Sequence, residues 1–255
     1  FHLEAYGETT VNYNRDVEIF PVLNTIFEKI YGASPYKSPT DMGVNMAGKC
    51  ICDDEACREA SRQEIIRRYY AALNALLKGD ATDKEAQKIE LLMNMAGITA
   101  ADRKVAVKAL ERARETGGPA AALELGDGRI ITGKTTNLLG ASAALLLNVL
   151  KELAGLDHQL HIISPESIEP IQKLKVDYLK SKNPRLHTDE VLIALSASAA
   201  NSEDARLALS QLPKLDGCQA HTSVMLSDVD IKIFKKLGVQ LTCEAVYEHD
   251  HLYHQ

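Results

Sequence analysis

The sequence predicts an α/β protein in two parts: an N-terminal helical segment, then a three-layer mixed β-sheet domain with helices on both faces. Three observations carry this expectation. Up to about residue 118, apolar residues recur at helical spacing and no run alternates as a strand would. From Pro119 onward, short β-prone runs alternate with helical ones. Leu138–Ala154 is apolar nearly all round, as a helix enclosed between layers must be.

The elements follow in order. Asn14–Tyr31 predicts a helix with Phe20, Leu23, Ile26, Phe27 and Ile30 on its apolar side, closed by Gly32; Pro21 either kinks it or marks its start. A polar stretch, 33–48, comes next. Asp53 or Asp54 then caps a long helix to about Lys78, followed by helices near Asp83–Met95 and Ala100–Thr116, the latter bracketed by Thr99 and Gly117-Gly118. Ala121–Leu125 and Arg129–Thr132 predict a hairpin across Gly126-Asp127-Gly128. After the buried helix come a strand at Leu160–Ile163 and a helix from Pro165 to about Ser181. Helices at Asp189–Ala200 and Glu203–Leu212 follow, the second stopped by Pro213. A strand at Cys218–Leu226, a helix at Asp228–Leu237 capped by Ser227, and a strand at Val239–Val246 complete the series. This order resembles the cytidine-deaminase-like architecture, but the zinc signature of that chemistry is missing, and likeness of order licenses no function.

Composition narrows the function. A chain of 255 residues can bury roughly 70–75% of its unfolded surface, enough for one large or two small domains. The formal net charge of −6, the absence of Trp and the presence of only four Phe speak against nucleic acid as a partner. No apolar run reaches the ~20 residues of a membrane span, so no membrane partner is expected. Five cysteines, an odd number, fit free thiols in a reducing cytoplasm. The chain opens at Phe1 in a polar run without an initiator Met, as a piece of something longer would.

Candidate chemistry lies in a few places. Tyr36-Lys-Ser-Pro-Thr-Asp-Met-Gly-Val-Asn-Met-Ala-Gly48 joins two helices without periodicity of its own. In a ligand-gripping reading Lys37 neutralises a phosphate, Asp41 holds a metal or a ribose hydroxyl, Asn45 orients a polar group and Thr40 is a further contact; in the alternative the segment only connects. The opening residues Glu4, Tyr6, Glu8, Asn12, Asn14 and Arg15 form either a wall of that cleft or plain surface. Gly128-Arg-Ile-Ile-Thr-Gly133-Lys134-Thr135 matches the phosphate-loop pattern in letters, but Ile130, Ile131 and Thr132 favour extended strand. What remains is an anion site at the helix start beside Lys134 and Thr135, with helix capping by Thr136 or Asn137 as the alternative.

His221 shares a strand face with Gln219 and Ser223, as a general base or ligand contact, or as a hydrogen-bonded structural histidine. Cys50, Cys52 and Cys57 lack both metal-ligand spacing and a fourth ligand. The tail Glu248-His-Asp-His-Leu-Tyr-His254 binds metal loosely or is a solvated end. No metal site is expected.

The runs His2-Leu-Glu-Ala-Tyr-Gly-Glu-Thr-Thr-Val-Asn-Tyr-Asn-Arg-Asp16, Ser38-Pro-Thr-Asp-Met-Gly-Val-Asn-Met46, Gln63-Glu-Ile-Ile-Arg-Arg-Tyr-Tyr70, Asp127-Gly-Arg-Ile-Ile-Thr-Gly-Lys-Thr135 and Leu237-Gly-Val-Gln-Leu-Thr-Cys-Glu244 resemble an uncharacterised bacterial family, a domain of unknown function. The resemblance covers essentially the whole chain. It implies full-length members about twice this length with a phosphate-loop-like upstream half, and makes this chain the C-terminal half. It also implies a division: residues 1–80 complete a nucleotide-binding-like domain and add a helical arm, 81–118 connect, and 119–255 form the mixed-sheet domain.

Together these observations lead to the expectation of a cytoplasmic protein that binds a nucleotide or phosphate ligand, an ATP-dependent transferase or ligase with ATP and Mg²⁺ bound in the full-length protein. Its contacts are Lys37, Thr40, Asp41, Asn45, Lys134, Thr135 and His221. The alternatives are a non-catalytic homo-oligomeric assembly module and a metal-free nucleoside-binding domain.

Overall fold

The computed structural model describes the backbone of residues 13–39, 41–42 and 54–248, with the side chains of all these except 13–17, 54 and 57. The expectations for Thr40, Asn45, the cysteines at 50, 52 and 57, the opening segment and the histidine tail fall outside those described residues and side chains. The chain divides into two compact units, 1–103 and 104–255. The expected connector over 81–118 is therefore shared: residues up to Arg103 fold with the first unit and those from Lys104 with the sheet.

The first unit is helical. α1 (Tyr13–Tyr31) runs through Pro21, so the proline neither starts nor ends it. The chain then turns, and residues 39, 41 and 42 are helical, with Pro39 at the start where its missing N–H costs nothing. α2 (Asp54–Lys78) packs on α3 (Asp83–Ala96). Between them Ile65, Ile66, Tyr70, Ile89 and Met93 are buried. A 3₁₀ turn, Ala100–Asp102, takes the place of the first turn of the helix expected from Ala100. It is held by a capping box in which the Thr99 N–H donates to Asp102 Oδ2 at 2.7 Å.

The second unit is built on a four-stranded mixed sheet. α4 (Lys104–Thr116) precedes β1 (Ala120–Glu124), and β2 (Ile130–Lys134) returns across a tight turn in which Gly128 has φ +83°. α5 (Ala141–Ala154), α6 (Pro165–Lys173), α7 (Thr188–Ser198) and α8 (Glu203–Leu209) follow. β3 (Gln219–Thr222), α9 (Asp228–Lys236) and β4 (Gln240–Cys243) complete it. The order across the sheet is β2-β1-β3-β4. β1 is antiparallel to both β2 and β3, and β3 is parallel to β4. β2, β3 and β4 therefore point the same way, with β1 alone reversed.

Strand alternation divides the two faces. Ala121 and Leu123 of β1 join Leu145, Leu146 and Leu150 of α5 in the main core, while Ala122 packs with Val105 and Ala109 of α4. Helices thus cover both faces. The deaminase-like order does not extend to a strand at Leu160–Ile163. That segment is a buried loop, with Ile162 and Ile163 in the core. A side chain holds the turn that leads into it: Lys151 Nζ donates to His158 O at 2.7 Å and to Leu160 O at 3.4 Å. A four-residue apolar run looks the same in sequence whether it is a strand or a loop pinned to the core.

Several other boundaries move. The helix expected to reach Ser181 stops at Lys173 and passes into a π-helical turn over Leu174–Tyr178, after which Lys180 takes φ +59°. Pro213 does not stop α8; it sits at the start of a separate 3₁₀ turn, Leu212–Leu215.

Gly133, the second glycine of the phosphate-loop-like pattern, has a packing role. A Cβ there would lie 2.2 Å from the backbone nitrogen of Leu145, so α5 rests directly on β2. The contact is backbone on backbone, with no flexible side chain to yield. Gly133→Ala is expected to lower unfolding free energy by about 3 kcal/mol, the upper range of core overpacking; urea denaturation measures it.

Candidate functional site

The second unit carries an open crevice of about 670 Å³ outside the carboxyl ends of its three co-directional strands. Thr135, Thr136 and Asn137 line it from the end of β2, Ser223 and Val224 from β3, and Val246, Tyr247 and Glu248 from beyond β4. Gly117, Gly118 and Pro119 enter from the start of β1, with Arg114 from α4 and Arg185 from the loop before α7. In α/β sheets this edge is where ligands bind, because helices begin there and their N–H groups face the opening. Arg185 Nη1 pairs with Glu248 Oε1, which sets its guanidinium at the crevice wall. Arg114 is exposed and pairs with no carboxylate among the described residues.

Backbone and hydroxyl groups hold the β2–α5 loop. Thr136 Oγ1 accepts from the Leu138 N–H at 3.2 Å and the Leu139 N–H at 3.0 Å, and the Thr135 N–H donates to Pro119 O at 2.9 Å. Thr136 is thus a turn-forming threonine four residues before Gly140, the N-cap of the helix. Leu138, Leu139 and Gly140 run beside Leu186: Leu186 N–H donates to Leu138 O at 2.9 Å and Gly140 N–H to Leu186 O at 3.3 Å.

That pairing brings three helix starts together. His187, the residue after Leu186, is the N-cap of α7, and its Nδ1 lies 2.9 Å from Asp230 Oδ2 in the first turn of α9. Asp230 is only 3% exposed. Its other oxygen accepts from the Thr188 N–H and the Thr188 hydroxyl, both at 2.8 Å, and Ser227, the N-cap of α9, donates its hydroxyl to Oδ2 at 2.8 Å. A buried carboxylate with four donors at two positive helix ends is well compensated. Burial pushes the Asp230 carboxyl up, but the bonds and charge of His187 and the Thr188 donors outweigh it, leaving the carboxyl below its usual range. The bond to Asp230 in turn raises the His187 imidazole above its usual value against partial burial. Lys175 braces the segment from below, donating to Arg185 O at 2.6 Å and Glu190 Oε2 at 2.7 Å. That same Glu190 oxygen accepts the His187 N–H at 2.8 Å.

The expected contact residues separate. Thr135 lines the crevice, whereas Lys134, its neighbour on the strand, is exposed and does not. His221 lies on the same strand face as Gln219, but α4 covers that face and the ring is fully buried. His221 Nδ1 is 2.8 Å from Thr242 Oγ1, and Nε2 is 3.3 Å from Glu244 Oε1. His221 thus braces β3 against β4 and is not among the residues that line the crevice.

Lys37 and Asp41 belong to the first unit. Asp41 is 3% exposed; its Oδ2 accepts the Lys37 N–H at 2.7 Å, and its own N–H donates to Ser38 Oγ at 3.0 Å. These bonds cap the helical turn at residue 39. Lys37 also borders a cavity of about 430 Å³ in that unit, with Arg58 and Arg62 on its rim and Phe20, Ile65 and Leu92 within. Sequence reasoning missed His187, Asp230, Arg114 and Arg185. The one signal available was Ser227-Asp-Val-Asp230, which it used only as a helix start. Among the described residues no cluster of three or more His, Cys, Asp or Glu is arranged to hold a metal ion, and no helix is long and apolar enough to cross a membrane.

The fold defines a mixed α/β protein with an open crevice at the carboxyl edge of its sheet and a helical unit preceding it in sequence. Residues 1–97 match the model described as domain of unknown function DUF1846, N-terminal, and residues 101–253 match its C-terminal counterpart. The chain therefore belongs to the DUF1846 family. Among its relatives, a UPF0371 protein of Corynebacterium urealyticum is 59% identical over 253 residues, 99% of this chain and 51% of that protein. UPF0371 proteins of Corynebacterium efficiens and Streptococcus thermophilus are 58% and 53% identical over the same length. The chain spans about half the length of the curated relatives it matches. The family boundary, between residues 97 and 101, nearly coincides with the division between the two units.

Two outcomes follow from this geometry. Asp41→Ala is expected to remove about 1 kcal/mol, the worth of a helix cap, measured by denaturation. For Asp230→Asn the loss is about 3 kcal/mol, since the neutral amide leaves a half-buried imidazolium without its anion. A raised folded pKa makes the His187 contribution complete below its unfolded value of about 6.5 and lost as pH rises through the folded value. A lowered one makes the Asp230 contribution complete above about 3.9 and lost as pH falls through the folded value. The deficit of Asp230→Asn should therefore be greatest between about pH 4 and 6.5 and shrink at higher pH, as denaturation across pH would record.

Proposed function

We propose that the second unit binds a phosphate-bearing small molecule, a nucleotide in the first instance, in the crevice at the carboxyl edge of its sheet. The observation that carries this reading is the placement of two guanidinium groups, Arg114 and Arg185, with the hydroxyls of Thr135 and Thr136 at the ends of three co-directional strands. Arginine presents a planar fork of donors matched to phosphate oxygens. The crevice volume lies within the range of small-molecule sites. The net charge of −6 favours a small anion held locally over nucleic acid held along a surface.

The whole protein is read as a nucleotide-handling enzyme, an ATP-dependent transferase or ligase using Mg²⁺, with a phosphate loop in the part of its relatives that this chain does not span. The hairpin geometry of Gly128 and the packing of Gly133 support that division, because they leave the similar pattern here no phosphate to wrap. Lys37 and its cavity rim stand as a second contact region, in the first unit. A second reading, self-association, has its own support: Val22, Ile26 and Ile30, four residues apart on α1, are 59%, 43% and 65% exposed. Ile26→Glu would abolish a dimer seen by light scattering if that stripe is the interface.

Isothermal titration with ATP, ADP and inorganic phosphate tests the crevice. Arg114→Ala is expected to weaken nucleotide binding by about tenfold, the lower end of what one charge-assisted hydrogen bond contributes, with the fold intact. Equal affinity of wild type and Arg114→Ala, or no binding by either, would end the crevice reading.

A further inference from the structure

We infer that the cavity of the first unit binds a small organic acid with an apolar body, an acyl carboxylate in the first instance, its carboxylate held by Arg58, Arg62 and Lys37. This ligand class rests on the contact region around Lys37 and is independent of the crevice in the second unit.

At about 430 Å³ the cavity falls within the range of small-molecule sites. Helical spacing puts two kinds of lining on one face of α2. Arg58, Arg62 and Ile65 stand at i, i+4 and i+7, with Ser61, 3% exposed, beside them. α2 has 25 residues and α3 only 14, and residues 79–82 join them. At equal rise per residue, α3 therefore runs back along α2 only as far as about Ile65. Met95 and Ala96, its last residues, meet the cavity there, whereas Arg58 and Arg62 stand on turns of α2 that project beyond α3. Phe20 and Pro21 of α1 and Leu92 of α3 extend the apolar side. The lining is thus apolar along one stretch and cationic along the next.

The cationic stretch is held in place. The Lys37 N–H donates to Asp41 Oδ2 at 2.7 Å, and the neighbouring Tyr36 ring stands edge-on to Phe27 of α1 with centroids 5.8 Å apart. Three cations line the cavity against one carboxylate among the described residues, Glu28, and Glu28 already accepts from Asn24 Nδ2 at 2.8 Å. Arg58 and Arg62 pair along their own helix, with Glu55 at 3.3 Å and Glu59 at 3.9 Å, and both carboxylates are more than half exposed. Such exposed pairs contribute little, so an anion partly withdrawn from water competes well for the same guanidinium groups.

The apolar stretch sets the class of ligand. Inorganic phosphate would leave Phe20, Ile65 and Leu92 uncovered, and a nucleotide would set polar ribose hydroxyls against them. A hydrocarbon chain covers them favourably. Met95, 60% exposed, is a flexible thioether side chain suited to closing over such a chain.

Titration calorimetry on the whole chain with octanoate tests this, with 1-octanol and inorganic phosphate presenting the apolar body and an anion separately. Octanoate is expected to bind saturably and about tenfold or more tightly than either. Arg58→Ala combined with Arg62→Ala should weaken octanoate by about tenfold with helicity unchanged, since both side chains are at least 40% exposed. Ala96→Trp, which fills the cavity and leaves every charge in place, should abolish binding. Arg114→Ala and saturating ATP act at the crevice and should leave octanoate affinity unchanged. Four results would overturn the inference and leave the crevice reading intact: no octanoate binding, equal affinity for 1-octanol or phosphate, full affinity in both cavity variants, or loss of octanoate in Arg114→Ala. Displacement of octanoate by ATP, abolished by Ala96→Trp, would overturn both, because the nucleotide would then occupy the first unit.

Discussion

The carboxylate of Asp230 is the constraint on which the crevice edge depends. It is an anion removed from water, and it remains charged because four donors at two helix N-termini converge on it. Those bonds tie the start of α7 to the start of α9. Leu186, one residue upstream, ties the same point to the start of α5. Two connections that leave the sheet, β2 to α5 and β3 to α9, are thereby fixed against the segment that enters α7, and Arg185 takes its position from that knot. A hydrophobic contact could join the same helices, but it would not specify the angle of an imidazole.

The crevice is a consequence of strand direction. β1 runs against its neighbours, so its start lies where the others end, and the short Gly117-Gly118-Pro119 link from α4 reaches the same opening. α5 lies against β2 closely enough to exclude a Cβ at Gly133. The sequence pattern that looks like a phosphate loop thus serves helix–sheet packing.

Much of the fold was legible in the sequence. The 3.6-period stripes placed α1, α2 and α3, the all-round apolar run placed α5, and Ser227 and Gly238 bracketed α9. The misses share a cause. Ile162 and Ile163 are apolar because the core needs them, and nothing local tells a strand from a loop pinned to that core. The site was less legible. Thr135, singled out through its place before a helix, lines the crevice, whereas His221 was singled out on strand alternation and lies under α4. His187 and Asp230 are 43 residues apart in sequence, and each alone looks like an ordinary helix start.

What occupies the carboxyl edge decides whether the crevice is an anion site. Crystals of the protein soaked with ATP under conditions that saturate it in solution test this most directly. Phosphate density between the guanidinium groups of Arg114 and Arg185, with Thr135 in contact, is the result expected. Saturable binding in solution with the nucleotide lodged in the first unit, and the edge crevice empty, would contradict it.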